Sequence, residues 1–158
     1  MSKGSSKTRF YKRATFITHL PESYLYSPTH SWVARDEADG SWKVGLTKFA
    51  TRMLGDMVDF QFEKKNQDSV SSGEIIGWVE GFKAISDIYC IAEGSFHRFN
   101  THLKTDISQI SKKPYGDGWL YSVSGNPDST CVEIDEYIAI LDKTIDRILE
   151  QQQKSNED

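Results

Sequence analysis

The chain has 158 residues, 37% of them hydrophobic and 12% aromatic, which is enough for one compact domain and its tails. No apolar run reaches the length needed to span a bilayer, and residues 1–20 lack the continuous apolar stretch of a secretory signal. The net charge of −4 is unevenly spread: Lys3, Lys7, Arg9, Lys12 and Arg13 face no acid within residues 1–20, so residues 21–158 carry about −9, which argues against nucleic acid as the partner.

Residues 1–20 read as a basic, poorly ordered arm, with Phe10, Phe16 and Ile17 resting on the body. The first reading of this arm is a solvated tail, which places the protein in the cytoplasm. The second is a mitochondrial presequence, rich in Ser, Lys and Arg and free of acids, which would place it in the matrix. After Pro21 and Pro28, the run Ser31–Arg35, the turn residues Asp39-Gly40 and the run Ser41–Leu46 predict a β-hairpin. Residues 47–54 break the alternation and suit a short helix opened by Thr47 and stopped near Gly55. Residues 56–63 alternate, with Val58, Phe60 and Phe62 on one face, as a half-buried strand does.

A polar loop over 64–73 leads to two β-rich runs, 74–80 and 84–92, joined through Gly81, Phe82 and Lys83. Short segments follow, then the turn Pro114–Gly118 and a strand at 119–123. Ile134, Ile138, Leu141, Ile145 and Ile148 recur at steps of four and three, which marks one face of a helix over about 130–150, capped by Ser129 or Thr130. Residues 151–158 read as a frayed tail. The chain is therefore mainly β with a short internal helix and a C-terminal helix, and residues 21–150 form its single domain.

Catalytic signatures are missing. There is no phosphate-cradling glycine motif and no nucleophile elbow. His19, His30, His97 and His102 lack metal-ligand spacing, and Cys90 and Cys131 form neither a CxxC nor a disulfide framework. Residues 77–87, GWVEGFKAISD, are the informative stretch. They hold Lys83 on a tight connection between strands, where its amine stays in water within reach of a modifying enzyme. Acylating that amine would remove its charge and lengthen it. With an eight-carbon acyl chain the arm would reach roughly a dozen ångströms. Taken alone, a hairpin lysine is usually just a solubilising charge.

Several ordered motifs strengthen that signal. His30-Ser31-Trp32-Val33, Val44-Gly45-Leu46-Thr47, Ala50, Leu54-Gly55-Asp56, Glu80-Gly81-Phe82-Lys83-Ala84 with Ser86-Asp87, Gly94, Asn100 and Pro114–Leu120 follow one another over residues 28–141. In this order and spacing the chain resembles the glycine cleavage system H protein family. The resemblance implies a lipoyl-domain-type barrel-sandwich hybrid fold with lipoic acid attached to Lys83. Glu80, Gly81, Phe82, Ala84 and Asp87 would form the surface read by a lipoate ligase or lipoyltransferase.

The implied job is to carry an aminomethyl group from a pyridoxal-phosphate glycine decarboxylase to an aminomethyltransferase. A dihydrolipoyl dehydrogenase then reoxidises the arm, and the carrier itself catalyses nothing. Two departures from the family pattern stand out. Gly81-Phe82 replaces the usual Ser-Val, and Ile91-Ala92-Glu93-Gly94 replaces a Pro-x-Ser-Gly turn. Cys90 reads first as a small buried strand residue and second as a thiol near the arm, able to exchange with a dithiolane. The alternatives to glycine cleavage are a lipoyl carrier in sulfur oxidation or transfer, and an unmodified module used only for binding.

Overall fold

In a computed structural model that describes residues 7–157, the chain begins as structure, not as a loose arm. Strands β1 (Thr8–Arg13) and β2 (Phe16–Pro21) form an antiparallel hairpin, so the expectation of a poorly ordered segment is corrected for the described part of residues 1–20. The period-2 pattern of Phe16, Thr18 and Leu20 carries the inward face of β2, while Phe10 and Ile17 point outward. Its turn uses Ala14 at a φ of 54°, where glycine or asparagine would be usual, so the turn has no conventional sequence signal. The presequence reading rests in part on residues 1–6, outside the described residues.

Two sheets make the main body. Strands β3 (Leu25–Tyr26), β4 (Ser31–Arg35), β5 (Trp42–Leu46), β7 (Ser69–Val70), β10 (Ala92–Phe99) and β11 (Tyr121–Pro127) pair in the order β3-β4-β5-β11-β10-β7. Strands β6 (Met57–Phe62), β8 (Ile75–Gly81) and β9 (Ile85–Tyr89) form the second sheet, ordered β6-β8-β9. Between them Val33, Val44, Ile76, Val79, Ile88, Phe96 and Val123 form the main core. This is the mainly β, sandwich-type body that the sequence predicts. One detail differs: a bulge between Met57 and Asp59 turns Val58 out to solvent and Met57 in, so only Phe60 and Phe62 keep the expected face.

A second core lies on the outer side of the six-stranded sheet, where the C-terminal helix α3 (Ile134–Glu157) packs. Tyr11, Phe16 and Leu20 of the hairpin meet Tyr26, Trp32, Phe49, Tyr137, Leu141 and Ile145 there. Helix α3 begins at Ile134 because Val132 is still held in a bridge to Tyr26, so Ser129 and Thr130 sit in the preceding turn instead of capping it. It also continues through the residues expected to fray. Polar bonds tie the hairpin to this helix: Tyr11 Oη donates to Asp142 at 2.7 Å, and the Arg13 guanidinium grips Asp146 through two bonds of 2.9 and 3.0 Å.

The expected hairpin at Asp39-Gly40 and the short helix are both present, and a single-turn helix α2 (Gln109–Lys112) lies between β10 and β11. Trp32 lies across Gly45 on the neighbouring strand, where an added Cβ would come within 2.6 Å of the indole, and its Nε1 donates to the Pro114 carbonyl. Helix α1 (Lys48–Leu54) is capped by Thr47, whose hydroxyl accepts from Ala50 N. His30, at a φ of 76°, supports that cap: its Nδ1 lies 2.8 Å from Tyr137 Oη, which donates to Thr47 Oγ1, which donates to the His30 carbonyl. Burial against Phe49 and Tyr137 lowers the imidazole pKa to about 4.

Two expectations follow. Leu20 is fully buried, so Leu20→Ala should lower stability by about 2–5 kcal/mol in thermal or denaturant unfolding; an unchanged melt would show that the hairpin does not belong to the core. The second concerns pH. As pH falls below 6.5 the unfolded chain protonates its His30 while the folded chain keeps it neutral, so stability is lost down to pH 4. His30 alone should cost about 3 kcal/mol over that window. Melting curves of wild type and His30→Gln should diverge by that amount between pH 6.5 and 4, and parallel curves would contradict it.

Candidate functional site

The connection between β8 and β9 is as short as an antiparallel pair allows. Gly81 N donates to Ala84 O at 2.9 Å, leaving Phe82 and Lys83 as the two turn residues. This tip does not stand free. Helix α1 ends just beneath it, and the last carbonyls of a helix lack partners within the helix. Lys83 N donates to Leu54 O at 2.9 Å, satisfying the carbonyl of the last helical residue, and Phe82 N donates to Asp56 O at 3.0 Å in the link that leads into β6. Gly55, at a φ of 83°, caps the helix by donating to Thr51 O.

Two glycines allow this contact. A Cβ on Gly81 would overlap the Leu54 carbonyl, and one on Gly55 would lie 3.0 Å from Lys83 Cγ. Gly81 is therefore required for close approach of two backbones and not for a left-handed backbone angle.

Lys83 is exposed, and its Nζ donates to the Arg52 carbonyl at 3.2 Å. Among the described residues no carboxylate lies within ion-pair distance of it. An acyl group fits here. The secondary amide formed on Nζ keeps one N–H for the Arg52 carbonyl, and no buried charge is left unpaired. Phe82, 81% exposed, and Ala84 flank the lysine at the surface, with Glu80 half-buried beside them. Asp87 is exposed further along β9, opposite Trp78. The structure thus brings Glu80, Gly81, Phe82, Lys83 and Ala84 together, with Asp87 on the adjoining strand.

Cys90 does not join them, which corrects the reading of it as a thiol near the arm. It lies beyond the far end of β9, seven residues of extended chain or roughly 20 Å from Lys83, and is 1% exposed. Its Sγ donates to Ala92 O, and burial raises its pKa, so the thiolate needed for exchange is suppressed. Cys131 is also held up, at about 11.

Residues that the sequence reading did not assign to the site are Arg52, Leu54, Gly55 and Asp56. The helix stop at Gly55 and the motif Leu54-Gly55-Asp56 were the signals that could have placed them there. Helix α1 also divides two grooves. Phe49, Arg52 and Met53 line one of about 290 Å³ together with Lys83, Phe16 and the far half of α3. Ala50 and Leu54 line another of about 190 Å³, whose wall includes Ser31, Leu46 and Asp87. No group of three or more potential metal ligands occurs among the described residues. No helix among them is long and apolar enough to cross a membrane.

Comparison with known proteins agrees with this geometry. Residues 24–142 match the family model described as glycine cleavage H-protein. A glycine cleavage system H protein of Idiomarina loihiensis is 34% identical over 130 residues, covering 80% of this chain and 99% of the relative. One from Rubrobacter xylanophilus is 33% identical over 127 residues, covering 80% and 98%. The crystal structure of a glycine cleavage system H protein from Mycobacterium marinum superposes with a TM-score of 0.68 at 34% identity, covering 76% of this chain and 97% of that one. With most of its residues inside the family model and relatives matched almost end to end, the chain belongs to the glycine cleavage H-protein family.

Proposed function

We propose that this protein is the lipoyl carrier of a glycine cleavage system, with the arm attached through Lys83 Nζ. The observation that carries the reading is an amine on a two-residue turn, exposed to solvent and with no carboxylate partner among the described residues, yet fixed by its backbone to the end of α1. When attached, lipoate supplies a dithiolane whose sulfurs take up and release a one-carbon unit and two electrons. The protein's own part is mechanical. The backbone bonds from Lys83 to the last residue of α1 and from Phe82 to Asp56 just beyond it hold the attachment point still, so the lysine side chain and its acyl extension supply the motion.

Glu80, Phe82, Ala84 and Asp87 are the surface that a lipoate ligase or lipoyltransferase meets. The lysine must enter that enzyme without the tip unfolding, which a turn pinned to a helix end favours. The successive partners are a pyridoxal-phosphate glycine decarboxylase, an aminomethyltransferase and a dihydrolipoyl dehydrogenase. The carrier catalyses no step of its own. The names of the relatives favour glycine cleavage over sulfur transfer, and the burial of Cys90 removes one of the two features that had supported the latter, the altered turn being the other.

Expression with lipoate should yield a protein heavier by one lipoyl group, with peptide mapping placing it on Lys83 and Lys83→Arg remaining unmodified. An unmodified wild-type chain, in cells that label a known lipoyl domain, would refute the carrier reading. Supplied to glycine decarboxylase and its partner enzymes, the lipoylated protein should support glycine-dependent carbon dioxide exchange, and Lys83→Arg should not. Gly81→Ala should slow lipoylation by about tenfold or more, because its methyl drives the tip off the Leu54 carbonyl. A Gly81→Ala variant that folds and is modified at the wild-type rate would show that the pinned tip is dispensable.

A further inference from the structure

Lys83 must be modified before any arm exists. In that step Nζ joins the acyl carbon of an activated lipoyl group: the C–N bond forms, the bond to the activating group breaks, and the ammonium gives up two protons. Only the lysine side chain, roughly 6 Å from Cα to Nζ, spans the gap to the modifying enzyme. That enzyme must therefore press against the turn and its surroundings, whereas the later partners are met through an arm roughly twice as long. Beside the turn lies the groove of about 290 Å³ that Lys83 itself lines. We infer that this groove is a docking surface for the lipoylating enzyme, taking an apolar side chain that the enzyme carries among acidic groups. The inference rests on lipoylation of Lys83 as proposed above.

Three walls make the groove: the hairpin turn Arg13–Phe16, Arg52 and Met53 of α1, and Ile145, Ile148 and Leu149 of α3. The first and third stand outside the glycine cleavage H-protein family model, which spans residues 24–142. The Idiomarina relative is matched over 99% of its length by only 80% of this chain, so the matched body does not need these segments. The hairpin and the last turns of α3 are additions, and they enlarge the surface around Lys83 across α1 from the groove whose wall includes Asp87. An addition placed at the attachment turn bears on whatever enzyme must come closest to it.

The chemistry of the lining selects the occupant. Met53 and Leu149 are 49% and 42% exposed, and buried Phe16, Phe49 and Ile145 back them with a packed base, as at the centre of a protein interface. The groove is small for a ligand site and suits a protruding side chain. Arg13, Arg52 and Lys83 share the lining. Asp142 and Asp146 hold Arg13 and fix the hairpin wall against the helix wall. For Arg52 and Lys83 no carboxylate lies within ion-pair distance among the described residues. On a body that is otherwise acidic, these two cations draw an acidic surface toward Lys83 while the rest of the body repels it. A second copy of the chain seated there would close off the lysine that a carrier needs open.

The test is the rate at which the cognate lipoate ligase modifies the full-length protein, measured over a range of carrier concentrations and read by intact mass. Met53→Glu and Leu149→Glu, both at exposed positions, should each raise KM roughly tenfold and leave kcat unchanged. Met53→Leu should keep the wild-type KM, and so should Ile75→Glu, at an equally exposed position at the far end of β8. Arg52→Glu should raise KM and flatten its increase with salt. A wild-type KM in both groove variants, or a wild-type dimer in sedimentation that Leu149→Glu disperses, would overturn the docking surface while leaving lipoylation intact. Absence of the lipoyl group from the wild-type chain would overturn both readings together.

Discussion

The turn at Phe82-Lys83 is held by two backbone N–H groups, one reaching the last carbonyl of α1 at Leu54 and the other the Asp56 carbonyl just beyond the helix. That contact ties two otherwise separate problems together. A helix end needs donors for its last carbonyls, and a two-residue hairpin needs something to stop it swinging. Each supplies what the other lacks, and the glycines at 55 and 81 are the geometric condition for the exchange. The lysine side chain then leaves from a defined point in a defined direction.

Holding the tip still transfers the demand for rigidity to α1. At its N-terminus Thr47 caps it, and Thr47 is fixed by His30 and Tyr137 from two different parts of the chain. On its inner side Phe49 packs edge-on against Phe16 at 5.6 Å. Tyr137 stacks on Tyr26 at 4.7 Å, which carries the support into β3 and the six-stranded sheet. The second core is thus the foundation of the attachment site, although none of its residues touches the arm's amine. Aromatic rings suit that role, because each buries a large area and their stacking geometry restrains orientation.

Much of this was legible in the residues. The strand alternation at β6, the Asp39-Gly40 turn, the capped helix after Thr47 and the heptad-like stripe of α3 are local signals, and local signals survive folding. Lys83 was legible as a turn lysine, and motif order supplied its chemistry. What the residues could not convey was long-range. Only the fold shows that Gly81 is needed for the Leu54 carbonyl, or that a bulge turns Val58 outward. The N-terminal hairpin was hidden for a related reason: its basic residues looked like a solvated tail, because apart from Glu22 the acids that receive Arg9 and Arg13, namely Asp135, Asp142 and Asp146, lie more than a hundred residues away.

A carrier faces opposing requirements: its anchor must be rigid enough for each partner to find, while its arm must be free enough to enter several active sites. The architecture separates the two in space. Backbone bonds restrain the turn, and everything beyond Lys83 Cβ moves by bond rotation. Conformational entropy sets the remaining cost, since an arm sampling all directions loses that freedom whenever a partner binds it.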